Sequence, residues 1–175
     1  MTNVTKSLFS AKIIAEIVVF VALATALSYI KIWTFPQGGS ITAGSMIPII
    51  WLALRRGWKV GLFAATAYGL VQLALEPYMI NPAQVLLDYP VAFGLLGLAG
   101  FFKSHPFLGV NIAIAGRFLA HFASGIIFFA IYAPEGMHPA VYSAIYNGSY
   151  LLPELVISIY MIYLLQESKV LKLFL

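Results

Sequence analysis

Apolar residues run through this chain in blocks too long for a soluble core and too continuous for strand alternation. Six blocks stand out, at 11–30, 42–55, 58–75, 83–102, 107–132 and 141–166. All but the short second block approach or exceed the roughly 17 to 25 residues that carry a helix across a bilayer. Between them lie turn and breaker clusters, FPQGGS, RRGWK, EPYMINP, KSHP and APEGMHP. Barrel strands would alternate apolar and polar residues over short segments, and that pattern is absent. The pattern predicts an all-α membrane protein, a single bundle of six transmembrane helices. Residues 1–175 form one domain with room for short loops only.

Composition strengthens this reading. Hydrophobic residues make up 62% of the chain and charged residues 9%, against about 25% charged in a soluble domain. So few charges cannot cover a water-exposed surface. The first block is read as a retained helix rather than a cleaved leader, because five more blocks follow and no clear small-residue cleavage site does. Cysteine is absent, which excludes thiol catalysis, disulfides and thiolate metal sites.

The net charge of +4 requires no nucleic acid once its distribution is followed. Lys6, Lys12, Arg55, Arg56, Lys59, Lys103, Lys169 and Lys172 fall on one side of the bundle if both termini are cytoplasmic. Basic residues concentrate on the cytoplasmic side, so this orientation is predicted. FPQGGS, Glu76 with Tyr78, and Glu135 with His138 then face outward. Ala11, Ala15, Ala22 and Ala26 recur at small-residue spacing on the first helix, a pattern that serves either packing inside the bundle or docking of a partner.

Ionisable side chains within spans are expensive and draw attention as functional candidates. Here they are Glu16, Asp88, Arg117, His121 and Glu154. Arg117 and Glu154 lie deeper and are read as structural, as each other's partners. Glu16, near the cytoplasmic end, reaches the interface or a partner. The outer half collects Asp88, Tyr89, His121, Phe129, Tyr142, Tyr146, Asn147 and Tyr150. A carboxylate, an imidazole, a carboxamide and many rings suit a small, flat, cationic or aromatic molecule, since ring faces attract cations and the polar groups address heteroatoms. The bland alternatives stay open: an interfacial tyrosine belt, a structural His121–Asp88 pair, and Asn147 as interhelical glue.

Catalysis has little support. His121 and Ser124 lie one turn apart, but no Gly-x-Ser-x-Gly elbow accompanies them. His105, His121 and His138 are scattered over a loop, a span and another loop and so form no metal site. A P-loop for ATP is also missing.

Taken together, FPQGGSITAGSMIPI (35–49) with LALRRGWKVG, EPYMINPAQVLLDYPVAFGLLGLAG (76–100), HFASGIIFF (121–129) and VYSAIYNG (141–148) resemble one family over nearly the whole chain. It is the thiamine-specific S component (ThiT, or YuaJ) family of energy-coupling factor vitamin transporters. The resemblance implies a non-catalytic, multi-pass subunit of the bacterial plasma membrane that binds thiamine from outside and needs no cofactor. ATP-driven uptake is then supplied by a separate transmembrane T component and two ATP-binding subunits. It assigns substrate binding to Asp88, Tyr89, His121, Asn147, Tyr142, Tyr78, Phe129 and Tyr146. A lid over the site falls on Gln37, Gly38, Gly39 and Ser40, with a plain flexible linker as the alternative, and partner docking falls on Ala22 and Ala26. Three positions depart from other members. Asp88 stands where glutamate occurs, Phe129 where a stacking tryptophan occurs, and Gly39 near another tryptophan, for which Trp33 is a candidate substitute. The alternative is an S component for another vitamin or a thiamine precursor.

Overall fold

The computed structural model describes residues 10–168, so Lys6, Lys169 and Lys172 lie outside the described residues. Helix α1 covers Ala11–Ser28, and an antiparallel pair follows, β1 (Lys31–Thr34) and β2 (Ser40–Thr42). Next come α2 (Ile47–Arg56) and α3 (Trp58–Leu75), then α4 (Pro82–Phe101), a continuous helical stretch with irregular turns. The bundle continues with α5 (Pro106–Phe128), a single 3₁₀ turn (Ala130–Tyr132) and α6 (Pro139–Glu167). All but α2 are long and apolar enough to cross a membrane, and the chain is a multi-pass membrane protein.

The helix boundaries follow from the chemistry of the breaker clusters. Pro48, Pro82, Pro106 and Pro139 each sit in a first turn, where a missing N–H costs no helical hydrogen bond. Asn81 Oδ1 and His138 Nδ1 accept from the backbone N–H of Ala83 and Ala140 at 2.9 and 3.2 Å, which caps α4 and α6.

The second apolar block behaves differently from the other five. Its start is strand β2, and its helix α2 has ten residues, or about 15 Å, which is half a hydrocarbon core. Most of α2 is buried, with Ile49, Ile50, Leu52, Ala53 and Leu54 at 0% exposure. It is therefore a half-span enclosed by the others, packed in a core with Tyr68, Leu96, Val110, Ile114 and Ile162. By contrast α1 buries only Ile17, Ala24 and Ser28. Ala11, Ala15, Ala22 and Ala26 all point outward and do not serve packing within the chain.

Helices α3 and α4 approach to backbone contact. A Cβ on Gly97 would lie 2.3 Å from the Leu62 nitrogen, and one on Gly100 would lie 2.3 Å from the Trp58 nitrogen. At the predicted cytoplasmic end Arg56 donates from Nε and Nη2 to both oxygens of Glu16, at 2.6 and 2.5 Å. Arg55 adds a longer contact at 3.6 Å. Glu16 thus finds its partners inside the chain. At the other end Lys31 pairs with Glu76 at 2.6 Å, tying β1 to the end of α3.

Candidate functional site

A cavity of about 150 Å³ opens where the β1–β2 hairpin meets the outer parts of α3 to α6. That is room for about five water molecules at about 30 Å³ each, smaller than the roughly 300–1,000 Å³ of ordinary small-molecule pockets. Its walls include Gln37, Gly38, Gly39, Ser40, Tyr78, Asp88, Tyr89, His121, Phe129, Tyr142, Tyr146 and Asn147. Every substrate-binding and lid residue assigned from the sequence therefore reaches one cavity. Ala22, Ala26 and Trp33 do not: the first two face outward on α1, and Trp33 is 63% exposed on β1, so it does not substitute for a ring at Gly39.

Asp88 and Tyr89 sit in a π turn, Leu87–Val91, with Pro90 inside it. Proline donates no hydrogen bond and crowds the preceding turn, so the helix widens there, as helices often do at functional sites. The carboxylate is fully engaged. His121 Nδ1 lies 2.9 Å from Oδ1, while Gln84 Nε2 and Ser124 Oγ donate to Oδ2 at 2.7 and 2.9 Å. Arg117 Nε donates to His121 Nε2 at 3.3 Å. That nitrogen is then the acceptor of the ring, and Nδ1 carries the proton directed at Asp88. The guanidinium of Arg117 also lies over the Phe93 ring at 4.0 Å.

Tyr89 holds the wall in place. Its hydroxyl donates to the Glu76 carbonyl at 2.8 Å and accepts from the Tyr78 N–H at 2.7 Å. Tyr78 stacks on Phe129, centroids 5.8 Å apart, and shares a 3.0 Å hydroxyl contact with Tyr132. That contact, with some burial, pushes the Tyr78 hydroxyl up to about 12, so it stays neutral across physiological pH. Tyr142 and Tyr146 stack at 6.0 Å. Asn147 is 4% exposed and spends its amide on the α5–α6 contact. Its Nδ2 donates across to the His121 carbonyl of α5 at 3.3 Å and, within α6, to the Ser143 carbonyl at 2.9 Å, while its Oδ1 accepts from Tyr150 at 2.8 Å. Asn147 is thus both interhelical glue and cavity wall.

The hairpin seats on α6. Tyr146 Oη accepts from the Gly39 N–H at 3.0 Å, and Tyr142 Oη donates to Gln37 Oε1 at 3.5 Å. Below it Thr42 donates from its backbone nitrogen and hydroxyl to Glu154 Oε1, at 2.5 and 2.6 Å. This corrects the expected Arg117–Glu154 pair: Glu154 is held by Thr42 and Arg117 by His121 and Phe93. Sequence reasoning also missed Gln84. Its signal was the i, i+4 spacing to Asp88 on a helix. Ser124 was weighed only as a nucleophile.

Gly39 has no room for a side chain, because a Cβ would sit 2.8 Å from the Tyr150 ring and 2.9 Å from the Tyr146 hydroxyl. Two tyrosines occupy the space that a ring at Gly39 would need. Gly39→Ala is expected to lift the hairpin and weaken ligand binding about tenfold, comparable to one lost hydrogen bond with some repacking. Binding calorimetry on the variant checks this, and unchanged affinity would refute the seating argument.

A model of the family described as thiamine transporter protein (Thia_YuaJ) matches residues 14–174. The thiamine transporter ThiT of Bacillus subtilis (strain 168) is 35% identical over 161 residues, covering 81% of this chain and 83% of the relative. ThiT of Lacticaseibacillus paracasei is 34% identical over 167 residues, covering 84% and 83%. The solved structure of ThiT from Listeria monocytogenes superposes with a TM-score of 0.82 at 26% identity, covering 90% of this chain and 94% of that one.

Proposed function

The chain belongs to the thiamine transporter protein (Thia_YuaJ) family, and we propose that it captures thiamine from outside the cell as the substrate-binding subunit of an energy-coupling factor importer. The observation that carries this reading is the outer cavity, where aromatic rings and three carboxylates, Glu76, Asp88 and Glu154, line one space. Thiamine joins a cationic thiazolium ring to an aminopyrimidine. The rings of Tyr78, Phe129, Tyr142 and Tyr146 offer faces to such a cation, worth about 0.5–2 kcal/mol each depending on desolvation. Asp88 supplies the counter-charge, and its three protein partners hold it ready without neutralising it.

Residues 37–40 act as the lid in this mechanism. With the hairpin seated on Tyr142 and Tyr146, water is excluded and the charge contact inside strengthens. The basic-residue asymmetry supports a cytoplasmic position for both termini. The outward face of α1 around Ala22 and Ala26 fits the docking of a transmembrane T component, whose two ATP-binding partners drive uptake. The whole chain then works as one substrate-binding unit with no catalysis of its own.

Calorimetric titration of the detergent-purified chain with thiamine tests the proposal, with riboflavin and biotin as controls. Saturable heat at one thiamine per chain, and none from the controls, is expected. Tighter binding of either control would replace thiamine as the substrate.

A further inference from the structure

Of the three acids in the cavity wall, Glu76 is paired with Lys31 and Asp88 is fully occupied, whereas Glu154 is not. Glu154 is 2% exposed, yet only its Oε1 is hydrogen-bonded. Its Oε2 is buried and has no partner, the one carboxylate oxygen in that state among the described residues. A buried acceptor left alone is costly, which is why nearly all such groups are paired. Thr42 and Ser45 share a 2.9 Å hydroxyl contact beside Oε1, and Ser158 Oγ, four residues further along α6, is likewise buried without a partner. Glu154 lies seven residues beyond Asn147 on α6, about 10 Å further from the outer end of the helix.

From these facts, and resting on the thiamine reading above, we infer that Glu154 Oε2 is a second, deeper subsite of the cavity that accepts a hydrogen bond from an N–H or O–H donor of the ligand. Thiamine carries two such donors away from its positive charge: the amino group of its pyrimidine and the hydroxyl of its side arm. Asp88 and the rings hold the cation, and Glu154 reads the donor at the other pole. A ligand of the same shape and charge with an acceptor there would face the carboxylate oxygen unfavourably. Sites built around a buried hydrogen-bonding group reject analogues lacking its complement far more strongly than apolar pockets reject a missing methylene.

The test uses the full chain, thiamine and two analogues, one with the pyrimidine amino group replaced by oxygen and one with the side-arm hydroxyl removed. Glu154→Gln keeps an acceptor for Thr42 and turns the free oxygen into a donor. Glu154→Leu removes the polar group but leaves the Thr42 N–H and hydroxyl without their acceptor, so thermal unfolding without ligand is measured beside binding to show which variant is folded. One analogue is expected to bind the unaltered chain about ten- to a hundredfold more weakly than thiamine, the range of one hydrogen bond to a charged group. Against either variant that ratio should collapse to about one, while thiamine itself weakens. If both analogues keep the same ratios to thiamine on the variants as on the unaltered chain, the inference is overturned. If the unaltered chain binds none of the three, the thiamine reading fails first and takes the inference with it, an outcome visible before any variant is made.

Discussion

Replacing Asp88 by asparagine is expected to lower thiamine affinity by more than a hundredfold and to leave the chain folded. A unit charge pair about 5 Å apart at an effective dielectric constant of about 20 is worth about 3 kcal/mol, which converts to that factor. The substitution keeps the outline of the side chain and an oxygen for His121 Nδ1, 2.9 Å away in the native site. Its new amide would meet two donors, Ser124 Oγ and Gln84 Nε2, and Gln84 must turn its amide to accommodate it. Asparagine thus costs local hydrogen bonding and, more heavily, the negative charge among the rings. Calorimetry gives the affinity, and thermal unfolding without ligand reports separately on the fold. An Asp88→Asn chain that binds thiamine within about threefold of the original would remove charge pairing from the mechanism.

Gly97→Val should abolish the folded protein. The added Cβ would lie 2.3 Å from the Leu62 nitrogen, 2.4 Å from its Cα and 2.6 Å from the Gly61 carbonyl carbon. All three are main-chain atoms, so no side chain can swing aside and α3 must move as a body. That movement pulls on Gly69, whose own Cβ position is 2.6 Å from the Tyr89 carbonyl oxygen, and so reaches the π turn of the site. The loss is expected to exceed about 4 kcal/mol, in the range reserved for severe core disruption. Gly148→Ala is the matched control, since its Cβ would meet only Leu152 at 4.0 Å. Size-exclusion profiles and unfolding temperatures in detergent should show aggregation for the first and native behaviour for the second. A monodisperse Gly97→Val chain would mean that α3 and α4 can separate without cost.

The five long helices were legible because a bilayer demands about 20 apolar residues whatever the tertiary packing. The half-span α2 was not, since an apolar block of 14 residues reads the same whether it crosses lipid or fills a bundle. The hairpin escaped too. All four residues of β1 are exposed, so no alternation marks the strand. Within the site, polar residue types in one half of the bundle were enough to gather Asp88, His121, Asn147 and the tyrosines. The partner of Glu154 was misread because helical depth alone placed it beside Arg117, whereas its actual partner, Thr42, comes from a strand that the apolar pattern concealed. The signal of Pro90 went unread, and its effect on the neighbouring Asp88 and Tyr89 became visible only with the backbone.

The ties on the hairpin also govern time. β1 and β2 are bonded to each other and anchored at Lys31 to Glu76, at Gly39 to Tyr146 and at Thr42 to Glu154. On the proposed reading of residues 37–40 as a lid, they detach as one flap rather than residue by residue. On the proposed reading, any occupant must wait for that single event before it can leave. Escape rates of tight and weak occupants then converge on the flap's own opening rate, and the chain retains a vitamin for as long as the flap stays shut.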